Sequence, residues 1–255
     1  MKNSNKYQND KNIKLLKTKL KKNSVSIGSW MQLPSPDIAE IFSNEDFDWI
    51  TLDLEHGSFN NETIVSIIRS IEQGGKIPFI RLSKGTEENC KNALEAGASG
   101  LIIPMIKNNS ELKNIISYCF FPPKGTRGVG YSRVNLFGKK FNEYKKKSNN
   151  LIIVPIIETK EAYEDLDNIL KNKDVDAVFI GPYDLSASLG INFKDKKYNK
   201  IINDILSRAK KHNKPCGIHV VQPSLSELNQ RIKQGFIFIA YSIDAVFFYN
   251  AINKK

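Results

Sequence analysis

Asp53, Glu55 and His56 crowd into four residues at the end of the apolar run WITLDLEH. Arg81 closes IPFIR, Glu158 closes LIIVPIIE, Asp184 follows AVFIGPY, His219 stands inside PCGIHVV, and Trp30 ends VSIGSW. Ionisable groups at the ends of apolar runs are costly to bury unless they meet each other, a metal or a ligand. Any one of them alone reads best as half of a structural ion pair, whereas the set together reads as a reaction site. Glu158 and Asp184 are an all-carboxylate pair. Such a pair suits a hard divalent cation that keeps several waters, Mg²⁺ or Mn²⁺, with Co²⁺ also tolerated. His56 supplies an imidazole, which titrates near neutral pH and so suits proton transfer. His219 has two readings, pocket residue or hydrogen-bonded core histidine, while His212, in a lysine-rich stretch, reads as surface.

Other chemistries lack their residues. There is no HExxH motif and no Cys/His cluster for a closed zinc site. Imine chemistry needs a lysine projecting from a strand, and none of the apolar runs contains one; only Lys84 and Lys107 come near their exits. Ser132 lies in GVGYSRV rather than in a GxSxG elbow. GTRGVG follows FFPPK rather than a strand, and its glycine spacing is wrong for a dinucleotide fingerprint. The last two apolar runs are not followed by glycine pairs that would cradle phosphate, which argues against a phosphorylated substrate.

The elements that must position these side chains are eight strand-length runs: 25–30, 49–54, 78–82, 100–105, 151–157, 177–181, 215–220 and 236–241. Most are apolar on both faces, as parallel strands covered by helices are. Amphipathic stretches of helical length lie between them, at 36–44, 61–73, 86–97, 109–119, 159–171, 198–213, 223–234 and 244–253. Pro36-Asp37 suits a first helical turn, and Gly97 and Gly235 fall where helices should stop. Eight strand–helix repeats predict an α/β fold, a (β/α)₈ TIM barrel filling residues 1–255 as one domain, with an open doubly wound sheet as the alternative. Residues 9–22 predict an additional helix within a basic N-terminal extension, 1–24, that caps the barrel floor. In such a barrel functional groups stand at the C-terminal strand ends, which is where the ionisable residues fall. The long stretch 120–150 reads as a functional loop.

Composition narrows the function further. At 40% hydrophobic and 25% charged residues the chain has an ordinary globular balance. No apolar run approaches the ~20 residues of a bilayer span, and the lysine-rich N-terminus is no secretory signal. A cytoplasmic protein without a membrane partner is expected. Cys90, Cys119 and Cys216 form neither a CxxC pair nor a disulfide framework, and read as buried, reduced thiols. The net charge of +11 is carried largely by lysines mixed with asparagines at 1–24, 139–150, 171–173 and 194–200. Without aromatic residues interleaved on a strand, this is a solvated surface, and no nucleic-acid partner is expected.

At these residues the sequence resembles the class II pyruvate-dependent aldolases of the 4-hydroxy-2-oxoheptanedioate (2,4-dihydroxyhept-2-ene-1,7-dioate) aldolase type. FDWITLDLEHGSFN, PFIRLS, ALEAGASGLIIPMI, GTRGVGYSR, VDAVFIGPYDLSASLG and GIHVV carry the likeness in matching order, from about residue 25 to 248. EH and GPxDLSxSLG are specific in combination. The resemblance implies a barrel of the phosphoenolpyruvate/pyruvate-binding type. It implies a metal-dependent carbon–carbon lyase that cleaves a 4-hydroxy-2-oxo acid to pyruvate and an aldehyde, or condenses the two.

Residue by residue, the resemblance implies Glu158 and Asp184 as metal ligands and Arg81 as the holder of the pyruvate oxygen. It implies Asp53 and His56 as an acid–base dyad, and Trp30, Arg81, Tyr183 and Asp184 around the substrate. Glu55 would order metal-bound water, Glu95 would reach a neighbouring subunit's site, and a hexameric homo-oligomer is expected. One departure stands out: Ile156 replaces the family's glutamine two residues before the metal glutamate, which spares the metal site and bears on substrate choice. Two alternatives compete. A related barrel lyase, like citrate lyase β relatives, would act on a hydroxyacyl thioester, against which the uninterrupted EH motif argues. A catalytically silent basic barrel would serve as an interaction module, against which the retained ionisable strand ends argue.

Overall fold

The computed structural model describes residues 4–192 and 195–253, with side chains from residue 10 onward. The apolar runs become eight parallel strands: β1 (Ser26–Met31), β2 (Trp49–Asp53), β3 (Ile77–Arg81), β4 (Gly100–Ile103), β5 (Ile152–Ile157), β6 (Val178–Ile180), β7 (Cys216–Val220) and β8 (Phe238–Ile243). They stand in sequence order around a closed barrel, so the open-sheet alternative is excluded. The closing pair is β1 with β8, and its register slips by one residue between Gly28↔Ala240 and Trp30↔Ile243. Ser242, with φ 58°, lies within that slip on β8.

The helices are α1 (Ser4–Lys21), α2 (Pro36–Ser43), α3 (Asn61–Gln73), α4 (Glu87–Ala96), α5 (Asn109–Ser117), α6 (Phe141–Lys147), α7 (Lys160–Glu164), α8 (Leu166–Lys171), α9 (Pro182–Ser188), α10 (Lys196–Lys211), α11 (Leu225–Gln234) and α12 (Asp244–Asn253). Their starts are written locally. Ser35, Asn60, Thr86, Asn108, Thr159 and Ser224 each accept a backbone N–H of the first turn they precede, each cap being worth about 1 kcal/mol. Gly97 (φ 118°) and Gly235 (φ 105°) end α4 and α11 in the left-handed conformation, as their positions predict.

Three elements differ from the pattern of the sequence. The stretch 159–171 is two helices broken at Asp165, whose carboxylate accepts the Asn109 N–H at 2.7 Å. The loop 120–150 contains α6 and two 3₁₀ turns. Asp184 sits not on an open strand end but in the first turn of the short helix α9.

The core has two layers. One lies between strands and outer helices, and the other fills the barrel, where Trp49 stacks on Phe238 with ring centroids 4.5 Å apart. A Cβ on Gly28 would fall 2.1 Å from the Trp49 ring, so a glycine there is the room the indole needs. Ile13, Leu16 and Leu20 of α1 join this inner layer together with Ile77 and Phe79. The expected basic N-terminal helix is therefore a plug for the barrel floor. Cys90, Cys119 and Cys216 are buried free thiols. Among the described residues no helix is long and apolar enough to cross a membrane.

Candidate active site

Strand alternation turns Trp49, Thr51 and Asp53 of β2 inward, and the β2–β3 register sets Asp53 opposite Arg81. Arg81 grips Asp53 with both prongs, Nε to Oδ1 at 2.8 Å and Nη2 to Oδ2 at 2.6 Å. Its remaining nitrogen, Nη1, lies 2.9 Å from Glu55 Oε2, and its guanidinium carbon sits 4.5 Å from the centre of the Trp30 ring. The cation is held on three sides before any substrate arrives.

Asp53 is fully buried. It also accepts Gln32 Nε2 at 2.9 Å and the backbone N–H groups of Glu55 and His56 at 3.1 and 3.2 Å. Burial pushes its pKa up, but the Arg81 charge and these donors outweigh burial and hold the carboxyl below its usual range. The link between Asp53 and His56 runs through the His56 backbone, while the exposed imidazole feels the charge of Glu55. Burial raises the Glu55 pKa and the charges of Asp53 and Asp184 add to this, against the opposing pull of Arg81 and His56.

Glu158 follows β5 and is 2% exposed. Its Oε1 accepts the Met105 N–H at 2.5 Å, an amide aimed there by a left-handed turn at Met105 (φ 53°) that a non-glycine residue rarely adopts. Burial drives the Glu158 pKa up to about 7; the Met105 amide opposes this, and the charges of Glu55 and Asp184 add to it. A Cβ on Gly181 would lie 2.6 Å from Glu158 Oε2, so the glycine keeps that oxygen clear.

The structure thus gathers Trp30, Asp53, Glu55, Arg81, Glu158 and Asp184 around one end of the barrel. Tyr183 is exposed beside Asp184 on α9. Glu95 lies on α4, where its charge acts on Tyr144. His212 pairs with Asp167 at 2.8 Å, away from the site. Gln32, Met105 and Gly181 are site residues that composition and spacing passed over. Gln32 and Gly181 directly follow β1 and β6, and Met105 stands two residues past the end of β4; that position is the one signal that marks them, but a backbone amide has no signature in residue type.

His219 points inward from β7, and burial lowers its pKa to about 4. Its ring lies 5.0 Å from Trp30, and its Nε2 lies 3.1 Å from the Ser242 carbonyl oxygen. It is hydrogen-bonded to the backbone, as a core histidine is, and it stands beside Trp30 near the Arg81 cluster.

Among the described residues no three His, Cys, Asp or Glu side chains form a metal cage. Glu158 and Asp184 still fit a hard divalent cation. Both are oxygen donors, they repel one another, and a cation that keeps water and substrate oxygens needs only one or two protein carboxylates.

Comparison with known proteins agrees with the motifs. The family model described as HpcH/HpaI aldolase/citrate lyase matches residues 26–251. The 2-keto-3-deoxy-L-rhamnonate aldolase of Escherichia coli O6:K15:H31 (strain 536 / UPEC) is 30% identical over 243 residues, covering 94% of this chain and 90% of the relative. A HpcH/HpaI aldolase/citrate lyase family protein from Burkholderia cenocepacia J2315 superposes with a TM-score of 0.88 at 25% identity, over 94% of this chain and 96% of the other. The HpcH/HpaI aldolase from Desulfitobacterium hafniense DCB-2 superposes with a TM-score of 0.84 at 24% identity, over 94% of each chain.

Proposed function

The chain belongs to the HpcH/HpaI aldolase/citrate lyase family, and we propose that it is a metal-dependent pyruvate aldolase. It cleaves a 4-hydroxy-2-oxo acid to pyruvate and an aldehyde, or condenses the two. The observation that carries this reading is the Arg81 cation, held by Asp53 and Glu55 beside the Glu158–Asp184 carboxylate pair.

Glu158 and Asp184 would hold Mg²⁺ or Mn²⁺, which when bound polarises the 2-oxo group and stabilises enolate charge. Arg81 presents its guanidinium where the enolate oxygen gains charge. One such fixed donor is typically worth about 3–4 kcal/mol in the transition state, because nothing has to reorient as the charge develops. His56 takes the proton of the 4-hydroxyl in the cleavage direction. The C3–C4 bond then breaks, the aldehyde leaves, and C3 is protonated to give the 2-oxo acid. Asp53 orients both halves of this machinery, since one carboxylate grips Arg81 and receives the amides of Glu55 and His56. Trp30 walls the 2-oxo-acid side under Arg81, and Tyr183 lines the approach. The enzyme works as a cytoplasmic homo-oligomer in which Glu95 serves the neighbouring subunit. The exposed Tyr131, Phe137, Phe248 and Tyr249 are apolar surface that assembly would cover.

The test is pyruvate release from a panel of 4-hydroxy-2-oxo acids, with and without Mg²⁺ or Mn²⁺, in wild type and Glu158→Ala. Metal-dependent release that disappears in the variant supports the reading. Release indifferent to metal, or none from any substrate, overturns it.

A further inference from the structure

His219 is an ionisable group beside Trp30 and Arg81 that the proposed chemistry leaves idle, yet the fold fixes its orientation closely. A carbonyl can only accept, so the 3.1 Å contact with the Ser242 oxygen makes Nε2 the protonated nitrogen. That carbonyl is aimed by Ser242 at φ 58°, in a left-handed conformation a serine adopts at a cost. Its residue is pinned in turn by Ser242 Oγ, which donates to the Val221 carbonyl at 2.9 Å, and by Ser29 Oγ, whose one proton is shared between the carbonyls of Tyr241 at 2.9 Å and Ser242 at 3.3 Å. Burial holds the ring neutral at physiological pH. Nδ1 is therefore a fixed lone pair, and no protein donor among the described residues meets it.

Its direction follows from the strand. Ile218 and Val220, on either side, pack into the layer between strands and helices, so His219 faces the barrel interior. It is nevertheless only partly buried, and its open surface can only be at the barrel mouth. Its charged neighbours are Arg81 and Asp53, and its ring contact is Trp30. That is the 2-oxo-acid side of the site; His56, which marks the aldehyde side, is not among those neighbours.

We propose that His219 is a specificity-determining residue whose Nδ1 accepts a hydrogen bond from a hydroxyl on C3 of the 2-oxo acid. The site then prefers a hydroxylated nucleophile, 3-hydroxypyruvate, to pyruvate itself. The inference rests on the aldolase reading and names the class of its 2-oxo acid. The chemistry of that half leaves little choice: the carboxylate and the 2-oxo oxygen are acceptors only, so C3 is where a donor to Nδ1 can stand. In condensation, C3 of hydroxypyruvate loses a proton and bonds the aldehyde carbon, and the aldehyde oxygen takes up a proton. The product is a 3,4-dihydroxy-2-oxo acid, formed without net oxidation or reduction.

The experiment compares kcat/KM for 3-hydroxypyruvate and pyruvate, each condensed with glycolaldehyde in the presence of Mn²⁺, in wild type, His219→Gln and His219→Asn. Glutamine extends its amide to the reach of Nε2, keeping the Ser242 bond while removing the acceptor at Nδ1. Asparagine places its amide oxygen near the Nδ1 position. The wild type should favour hydroxypyruvate. His219→Gln should lower the hydroxypyruvate-to-pyruvate ratio about tenfold, as loss of one net hydrogen bond does, and His219→Asn should retain most of it. A ratio equal in all three proteins, or a wild type that prefers pyruvate, overturns the inference and leaves the aldolase reading standing. A protein that condenses neither acid overturns both.

Discussion

Glu158 is a carboxyl buried to 2% exposure, beside one backbone amide and within the field of two other carboxylates. Its pKa, raised by burial to about 7, has a consequence for stability without metal. A carboxyl whose folded pKa exceeds its unfolded value binds more protons when folded, so its contribution is complete below the unfolded value, about 4.5, and is lost as pH rises through about 7. In metal-free protein, Glu158→Gln should raise the midpoint of thermal unfolding at pH 8 and leave it nearly unchanged at pH 4.5. The energy at stake is on the order of 3 kcal/mol. An equal effect at both pH values would contradict the assignment. Asp53 has the opposite sign: its lowered pKa means the charge is present from below pH 3.8 upward, and the stability it brings is lost only as pH falls through that depressed value. Asp53→Asn leaves Arg81 buried without its bidentate partner and should cost about 3–5 kcal/mol in urea unfolding at pH 7. Both residues were legible in the sequence because a charge ending an apolar run is conspicuous. The Met105 amide and the Gln32 side chain that tune them were not, since neither residue type is unusual at a strand exit.

At the scale of elements, short segments are placed to serve the site and the floor. Gly181, between β6 and α9, has φ −93°, which alanine adopts without strain. Gly181→Ala should therefore fold normally while its Cβ displaces the Glu158 carboxylate. A displacement of about 1 Å can cost on the order of 10² in kcat/KM, and kinetics with unchanged circular dichroism would verify it. Helix α1 closes the opposite end, and Leu16→Ala should cost about 2–5 kcal/mol, read as a lower denaturant midpoint, because a plug residue leaves a cavity among rings. The start of α2 at Pro36 and the stops at Gly97 and Gly235 were legible because such signals act within a turn. The break at Asp165 was not, because the Asn109 amide that captures its carboxylate comes from α5, 56 residues away.

For the whole molecule, closure of the barrel brings eight strand ends to one rim, and the surface carries exposed Tyr131, Phe137, Phe248 and Tyr249. Light scattering should return an integral multiple of the chain mass, and a monomeric mass at micromolar concentration would refute assembly. Sequence alone determined the strand–helix alternation, the helix stops at Gly97 and Gly235, the family and the charged residues at strand exits, because periodicity, glycine stops and the cost of burying charge are properties of short segments and residue types. Tertiary structure alone decided that Arg81 is gripped by Asp53 and Glu55, that Glu158 meets an amide 53 residues away, and that Ser242 fixes the tautomer of His219. Those partners meet only when β2 pairs with β3, β4 with β5 and β7 with β8, and no local pattern records which distant amide or carbonyl will arrive there.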